Sequence, residues 1–317
     1  MKRDFLTITD LSEAELRGLL QETAQLKRAR RRHERWLAHR TVALIFQKPS
    51  MRTRVAFEVA VLQLGGSVVY LGQDDIQLGQ REPIKDVARV LSRYVDGIVV
   101  RTFAHRDAEA CAAYATVPVI NGLSDRVHPC QALADLFTIQ EQFGRVKGVT
   151  VAYIGDGNNV LHSLAEGCAM LGINLAAATP PRYPPDAAIW EAASAAARRR
   201  GAWLRREAEP RKAVAGADVV YTDVWVSMGQ EAERRERLSA FRGYQLNAAL
   251  LARAKPACRV MHCLPAHRGE EITDALMDDA RSLIFQQAEN RLYVQKALLA
   301  LLLPRRRSGR GTPRDRA

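Results

Sequence analysis

The run TVALIFQKPSMRTRVAF, residues 41–57, changes periodicity within a few residues. Thr41 to Phe46 is apolar and β-branched, short enough for a strand buried on both faces. Beyond Pro49 the apolar residues Val55, Phe57, Val59 and Leu62 recur at helical spacing. A strand that feeds a helix through a tight turn is the repeating unit of a parallel α/β sheet. The turn, Ser50-Met51-Arg52-Thr53-Arg54, gathers hydroxyls, guanidinium groups and free backbone N–H groups at the helix start. There the positive end of the helix dipole faces outward, so Ser50 and Thr53 can hydrogen-bond phosphate oxygens and Arg52 can grip them bidentately. The same stretch also fits an N-capped helix with exposed arginines, and residues elsewhere must decide between the two.

The strand–helix rhythm continues outward. Val68 to Leu71, Gly97 to Arg101 and Val117 to Asn121 read as further buried strands, with helices around 53–64, 84–95 and 106–115. A second set reads as strands at Thr150 to Ile154, Asn174 to Thr179, Val219 to Asp223, Arg259 to His262 and Ser282 to Phe285, with helices at 160–171 and 187–200. The expected fold is α/β, with two domains, each a doubly wound parallel sheet flanked by helices, joined by a linking helix at 131–143. The spans expected are 1–140, completed by a C-terminal helix at 289–303, then 141–288, then a basic disordered tail at 304–317. Ser12 with Glu15 forms a capping box before the first helix, which Lys27 to Arg35 continues as a charged extension. Pro180-Pro181 and Pro184-Pro185 mark one exposed loop, and Gln230 to Arg237 a long charged one.

Composition bounds the function. With 317 residues, 47% hydrophobic and 26% charged, the chain suits two soluble domains. No apolar run approaches the ~20 residues of a membrane span, and no leader is visible at Met1 to Phe5, so a cytoplasmic protein is expected. Cys111, Cys130, Cys168, Cys258 and Cys263 show no paired spacing, which predicts reduced thiols. The net charge of +12 is local: residues 305–317 carry +5 and residues 27–40 carry +6, leaving +1 for the rest. A solvated face and a tail without aromatic residues argue against nucleic acid as a partner.

Further clusters fall just after expected strands, where ligands gather in open parallel sheets. Arg101 ends one strand, and Asn121-Gly122 leads to His128-Pro129-Cys130-Gln131 at a helix start. Gly155-Asp156-Gly157-Asn158-Asn159 has Val160 where a dinucleotide fingerprint needs its third glycine, so nicotinamide is disfavoured and an amino acid ligand is the better reading. Asp223, followed by Ser227-Met228-Gly229, sets a carboxylate at a strand end beside a flexible loop, where it can hold an ammonium or simply close a turn. His262-Cys263-Leu264-Pro265 with His267 lacks a fourth zinc ligand, and a partly exposed Cys263 near cations is expected to deprotonate.

Together these blocks resemble the aspartate/ornithine carbamoyltransferase family. S-x-R-T-R and H-P-C-Q match its carbamoyl phosphate domain, and D-x-W-x-S-M-G and H-C-L-P match its ornithine branch. Asp75 to Gly79, Glu82 to Asp86 and Ala288 to Arg291 extend the likeness over about residues 5–303. The resemblance implies carbamoyl transfer from carbamoyl phosphate to L-ornithine, giving L-citrulline and phosphate, without metal or organic cofactor. It implies that residues 1–140 bind carbamoyl phosphate and 141–288 bind L-ornithine, in a homotrimer or a multiple of trimers with sites between chains. Carried over by motif, Ser50, Met51, Arg52, Thr53, Arg101, His128 and Gln131 would hold carbamoyl phosphate, with Gln77 reaching a neighbouring subunit's site. Cys263, Leu264 and Arg291 would complete that subsite, and Asn159, Asp223, Ser227 and Met228 would bind ornithine. Arg52, Arg101, His128, Asp223 and Cys263 would act in catalysis. The pattern departs at Met51, where the family usually has Thr; Met is tolerated if the phosphate contact is a backbone N–H. Two rival readings are a carbamoyltransferase for another amine, such as putrescine or an N-acylated ornithine, and an inactive basic RNA-binding relative.

Overall fold

The computed structural model describes residues 2–29, 33–79, 81–227 and 229–305. One sheet has four strands, β1 (Thr41–Phe46), β2 (Ser67–Leu71), β3 (Gly97–Arg101) and β4 (Val119–Leu123), in the order β2-β1-β3-β4. The second has five, β5 (Thr150–Ile154), β6 (Asn174–Ala178), β7 (Leu204–Glu207), β8 (Val219–Thr222) and β9 (Arg259–His262), in the order β7-β6-β5-β8-β9. Every pairing is parallel, so strands connect by crossovers, and the chain is two helix-flanked α/β domains. Strand order reverses once in each sheet, between β1 and β3 and between β5 and β8. At such a reversal the loops leaving neighbouring strands diverge and open a crevice.

The two sheets share a core. One apolar cluster contains Leu44 and Val99 of the first sheet together with Val151, Leu175 and Val219 of the second. Helix Pro129–Phe143 runs through it, buried from Pro129 to Ile139. Proline suits its first turn, where the missing N–H has no partner to lose, and Gly144 at φ +68° ends it in the left-handed region. This helix packs on helices Asn159–Leu171 and Ile284–Leu302. A Cβ at Gly167 would lie 2.7 Å from the Leu136 side chain, so the helices approach this closely only with glycine there.

Several elements differ from expectation. Ser282 forms only an isolated bridge to Val260, and the chain turns at once into helix Ile284–Leu302, so Ser282 to Phe285 is not a strand. Strand β7, Leu204-Arg205-Arg206-Glu207, lacks an apolar run because it is a sheet edge with exposed arginines. The first helix keeps its capping box but stops at Arg28, with His33 at φ +66°, so it does not continue to Arg35. Residues 30–32 and the tail from 306 lie outside the described residues. The segment read as a charged loop holds helix Arg234–Ala240, whose Arg237 is buried against Asp156.

Glu166, on helix Asn159–Leu171, has a buried Oε2 without a hydrogen-bond partner among the described residues. Burial pushes its carboxyl up to about 7, and Arg126 opposes this only in part. The folded chain therefore keeps a proton that the unfolded chain releases above about 4.5, so this group's contribution to stability falls as pH rises through that window. Glu166→Gln is expected to exceed the parent in stability by about 1–3 kcal/mol at pH 8 and to match it near pH 4.5. Urea unfolding at both pH values checks this; an equal difference at both contradicts it.

Candidate active site

The crevices of the two sheets open into one cavity of about 600 Å³. The first domain contributes Ser50, Met51 and Arg52 after β1, Arg101 at the end of β3, and His128 before helix Pro129–Phe143. Asn159 after β5, Asp223 and Ser227 after β8, and Cys263 and Leu264 after β9 come from the second, and Arg291 from helix Ile284–Leu302. Residues distant in sequence thus meet because every one of these segments leaves the same end of a parallel strand or faces it.

The first-domain wall is cationic. Ser50 caps helix Met51–Gln63, its Oγ accepting the Thr53 N–H at 3.3 Å. Met51 opens that helix and is 69% exposed, its thioether side chain offering phosphate no donor. Arg52, Arg101 and Arg291 have no carboxylate partner among the described residues, and Nε of both Arg101 and Arg291 is buried without an acceptor. Burial and the neighbouring guanidinium groups of Arg291 and Arg52 pull Arg101 down to about 9. Burial lowers Arg52 and Arg291 as well. The His128 ring is driven well below its usual value by burial and then by Arg291, Arg101 and Arg52, which leaves it neutral, with Nδ1 unpartnered. Clustered donors that destabilise one another's charge are satisfied together by an anion.

The opposite wall carries the carboxylate. Asp223 Oδ1 accepts from Cys263 Sγ at 2.8 Å, and Oδ2 accepts from Asn158 Nδ2 at 2.7 Å. The expectation of a partly exposed, deprotonated Cys263 is corrected here: the thiol is buried, and burial followed by Asp223 pushes its pKa well above the usual range. Cys263 is a thiol donor. Asn159 directs Nδ2 to the Ser124 carbonyl at 2.6 Å, joining the two domains beside the cavity. Leu264 sits at φ +58°, a conformation costly for a branched side chain, and its N–H donates to His262 Nδ1 at 2.8 Å. With Nδ1 occupied and Nε2 directed to Glu271 at 3.0 Å, both nitrogens of His262 are engaged, which disfavours a metal between Asp223, His262 and Cys263.

Some expected residues stand off the cavity. Thr53 is fully buried, and its Oγ1 accepts from Arg291 at 2.7 Å, so it orients a guanidinium rather than facing a ligand. Gln131 is buried with Nε2 donating to Asp135 at 2.9 Å, while its Oε1 has no partner. Gln77 is exposed at φ +41° and lines no part of this chain's cavity. Met228 lies outside the described residues. Sequence reasoning passed over Lys48, which lines the cavity with its ammonium 4.5 Å from the Phe103 ring centre, and whose place just before the cradle was the available signal. It also passed over Asp135, which accepts from Gln131, from Gln287 at 2.7 Å and from the Tyr221 hydroxyl at 3.1 Å. Gly157 serves packing, since a Cβ there would lie 2.2 Å from the Pro184 backbone.

Residues 3–141 match the carbamoyl-P binding domain of aspartate/ornithine carbamoyltransferase, and residues 147–302 match its Asp/Orn binding domain. The chain is 52% identical over 303 residues to an ornithine carbamoyltransferase of Anoxybacillus flavithermus, covering 95% of this chain and 96% of that one. It is 52% identical over 303 residues, again 95% and 96%, to a Pyrococcus furiosus protein named ornithine carbamoyltransferase, anabolic. A solved ornithine carbamoyltransferase from Pyrococcus furiosus superposes with a TM-score of 0.92 at 51% identity, covering 95% of this chain and 97% of that one.

Proposed function

The chain belongs to the aspartate/ornithine carbamoyltransferase family, and from that premise we propose how its residues divide the transfer of a carbamoyl group from carbamoyl phosphate to L-ornithine. The enzyme forms L-citrulline and phosphate. The carrying observation is the pairing, in one cavity, of three uncompensated guanidinium groups with the Asp223–Cys263 pair opposite.

In this reading residues 1–140 with the C-terminal helix bind carbamoyl phosphate, and 141–288 bind ornithine. The phosphate enters the cradle at Ser50, Met51 and Arg52, the backbone N–H groups and guanidinium groups meeting its charge. Arg101 and Arg291 flank it, with Thr53 positioning Arg291. His128, neutral, donates to or accepts from the carbamoyl group, and the unpartnered Oε1 of Gln131 accepts from its amide. Leu264, held at positive φ, and Cys263 close that pocket. Asn159, Asp223, Ser227 and Met228 hold the amino acid end of ornithine, Asp223 facing the α-ammonium. The δ-ammonium has an intrinsic pKa near ~10.4, and the cationic wall favours its neutral form. Nitrogen then attacks the carbonyl carbon, the carbon–oxygen bond to phosphate breaks, and the amine proton leaves with the phosphate. Cys263, as a protonated thiol, orients Asp223 rather than acting as a base.

We place the enzyme in the cytoplasm and in the direction of arginine synthesis. It works as a homotrimer in which Gln77 serves the neighbouring chain's site, which accounts for its exposure here. Two variants test this. Arg52→Ala and Gln77→Ala chains, each inactive or weak alone, are expected to give mixed trimers with more activity than either parent, since one site in the hybrid is intact. No gain on subunit exchange contradicts the placement of Gln77. The assignment as a whole rests on steady-state citrulline formation from carbamoyl phosphate and ornithine, assayed in both directions; no turnover by folded protein overturns it.

A further inference from the structure

His267, Glu270 and Glu271 follow the Cys263-Leu264-Pro265 turn, and each offers a ligand atom within 4.8 Å of the others. Three side-chain atoms here are buried without a hydrogen-bond partner among the described residues: His267 Nδ1, Glu270 Oε2 and Glu271 Oε2. His267 Nδ1 lies 3.7 Å from Glu270 Oε2. The remaining oxygens are engaged. Glu270 Oε1 accepts from the Arg234 guanidinium. Glu271 Oε1 accepts the His267 backbone N–H at 2.6 Å and His262 Nε2–H at 3.0 Å. Because His262 Nδ1 accepts the Leu264 N–H, its proton sits on Nε2 and the ring is uncharged. Glu271, 0% exposed, is therefore held by neutral donors with one oxygen bare.

We propose that His267, Glu270 and Glu271 form a divalent transition-metal site, separate from the Asp223–Cys263 pair. One imidazole nitrogen and two carboxylate oxygens are a donor set for Mn²⁺, Co²⁺ or Zn²⁺, whereas Mg²⁺ and Ca²⁺ take oxygen ligands. A metal here would be met by three side chains that each carry one orphaned atom, with Glu271 among them fully buried. It also ties the loop after β9 to helix Arg234–Ala240 through Glu270 and Arg234, and both His267 and Arg234 line the cavity wall.

Mn²⁺ is the probe, because a hard ion discriminates against the Cys263 thiol. Chelator-treated full-length protein is titrated with Mn²⁺ while the free ion is followed by electron paramagnetic resonance. Stoichiometric uptake is expected, with the dissociation constant raised at least roughly ten-fold by Glu270→Gln and by His267→Ala, and unchanged by Cys263→Ser. The thermal midpoint of the parent should rise with Mn²⁺, and that of Glu270→Gln should not. Glu270 is only partly buried, so its variant remains informative even if one at the fully buried Glu271 fails to fold. No uptake up to about 1 mM, or uptake indifferent to Glu270→Gln and His267→Ala, overturns the site and leaves a proton shared between His267 and the carboxylates.

Discussion

Arg52→Ala should lower kcat for citrulline formation by roughly 10²–10³-fold, equivalent to ~2.7–4 kcal/mol for one well-aimed donor, while leaving the unliganded fold at least as stable as the parent. Both halves follow from the same geometry. Arg52 stands half-buried at the first turn of helix Met51–Gln63, its guanidinium making no hydrogen bond or ion pair to other described residues, and burial already lowers its pKa. Arg101, pulled down to about 9 in part by Arg52, would be relieved by the substitution. A residue that costs stability and speeds the reaction is placed for the ligand rather than for the fold. Inorganic phosphate should raise the thermal midpoint of the parent and raise that of Arg52→Ala much less, because the ligand stabilises only the state that binds it. Turnover within a few-fold of the parent would contradict the role. A loss of activity accompanied by a lower thermal midpoint would point to misfolding instead.

The strand–turn–helix that starts at Thr41 was legible because its signal is local. Strand, turn, cap and first helical turn occupy residues 41–54 without a gap, and Ser50 caps the helix as its residue type suggests. The positions after β3, β5, β8 and β9 were legible for a related reason: in a parallel sheet, short apolar runs reveal where each strand ends, and every strand ends on the same side. What lay hidden depends on contacts across long separations. Cys263 looked exposed by its place after a strand, yet it is kept protonated by burial and then by Asp223, forty residues earlier. The inward turn of Thr53 toward Arg291 spans 238 residues. Arg237 belonged to a run that reads as solvated charge, and only the fold reveals Asp156 as its buried partner. Strand β7 escaped notice because edge strands can carry charge on both faces, removing the alternation by which strands are recognised.

Asp223→Asn tests the opposite wall and is expected to reduce kcat/KM for ornithine by about 10²–10³-fold, the usual cost of truncating one partner of a buried charge pair. Asp223 accepts two donors, the Cys263 thiol and Asn158 Nδ2, on its two oxygens. An asparagine presents one oxygen and one NH₂, so one of those donors must face another donor. The charge that would meet the α-ammonium is lost as well. Because carbamoyl phosphate binds on the cationic wall in this reading, its KM should change only a few-fold, and that split separates a role in ornithine binding from general damage. A second consequence concerns the thiol. Burial alone would still raise the Cys263 pKa, but the contribution of Asp223 would vanish, so the thiol should titrate lower and react faster with a small alkylating reagent. If ornithine kinetics are unchanged, Asp223 does not contact substrate. If they collapse while Cys263 reactivity stays at the parental rate, the Asp223–Cys263 hydrogen bond does not control the thiol, and the positioning role assigned to Cys263 fails.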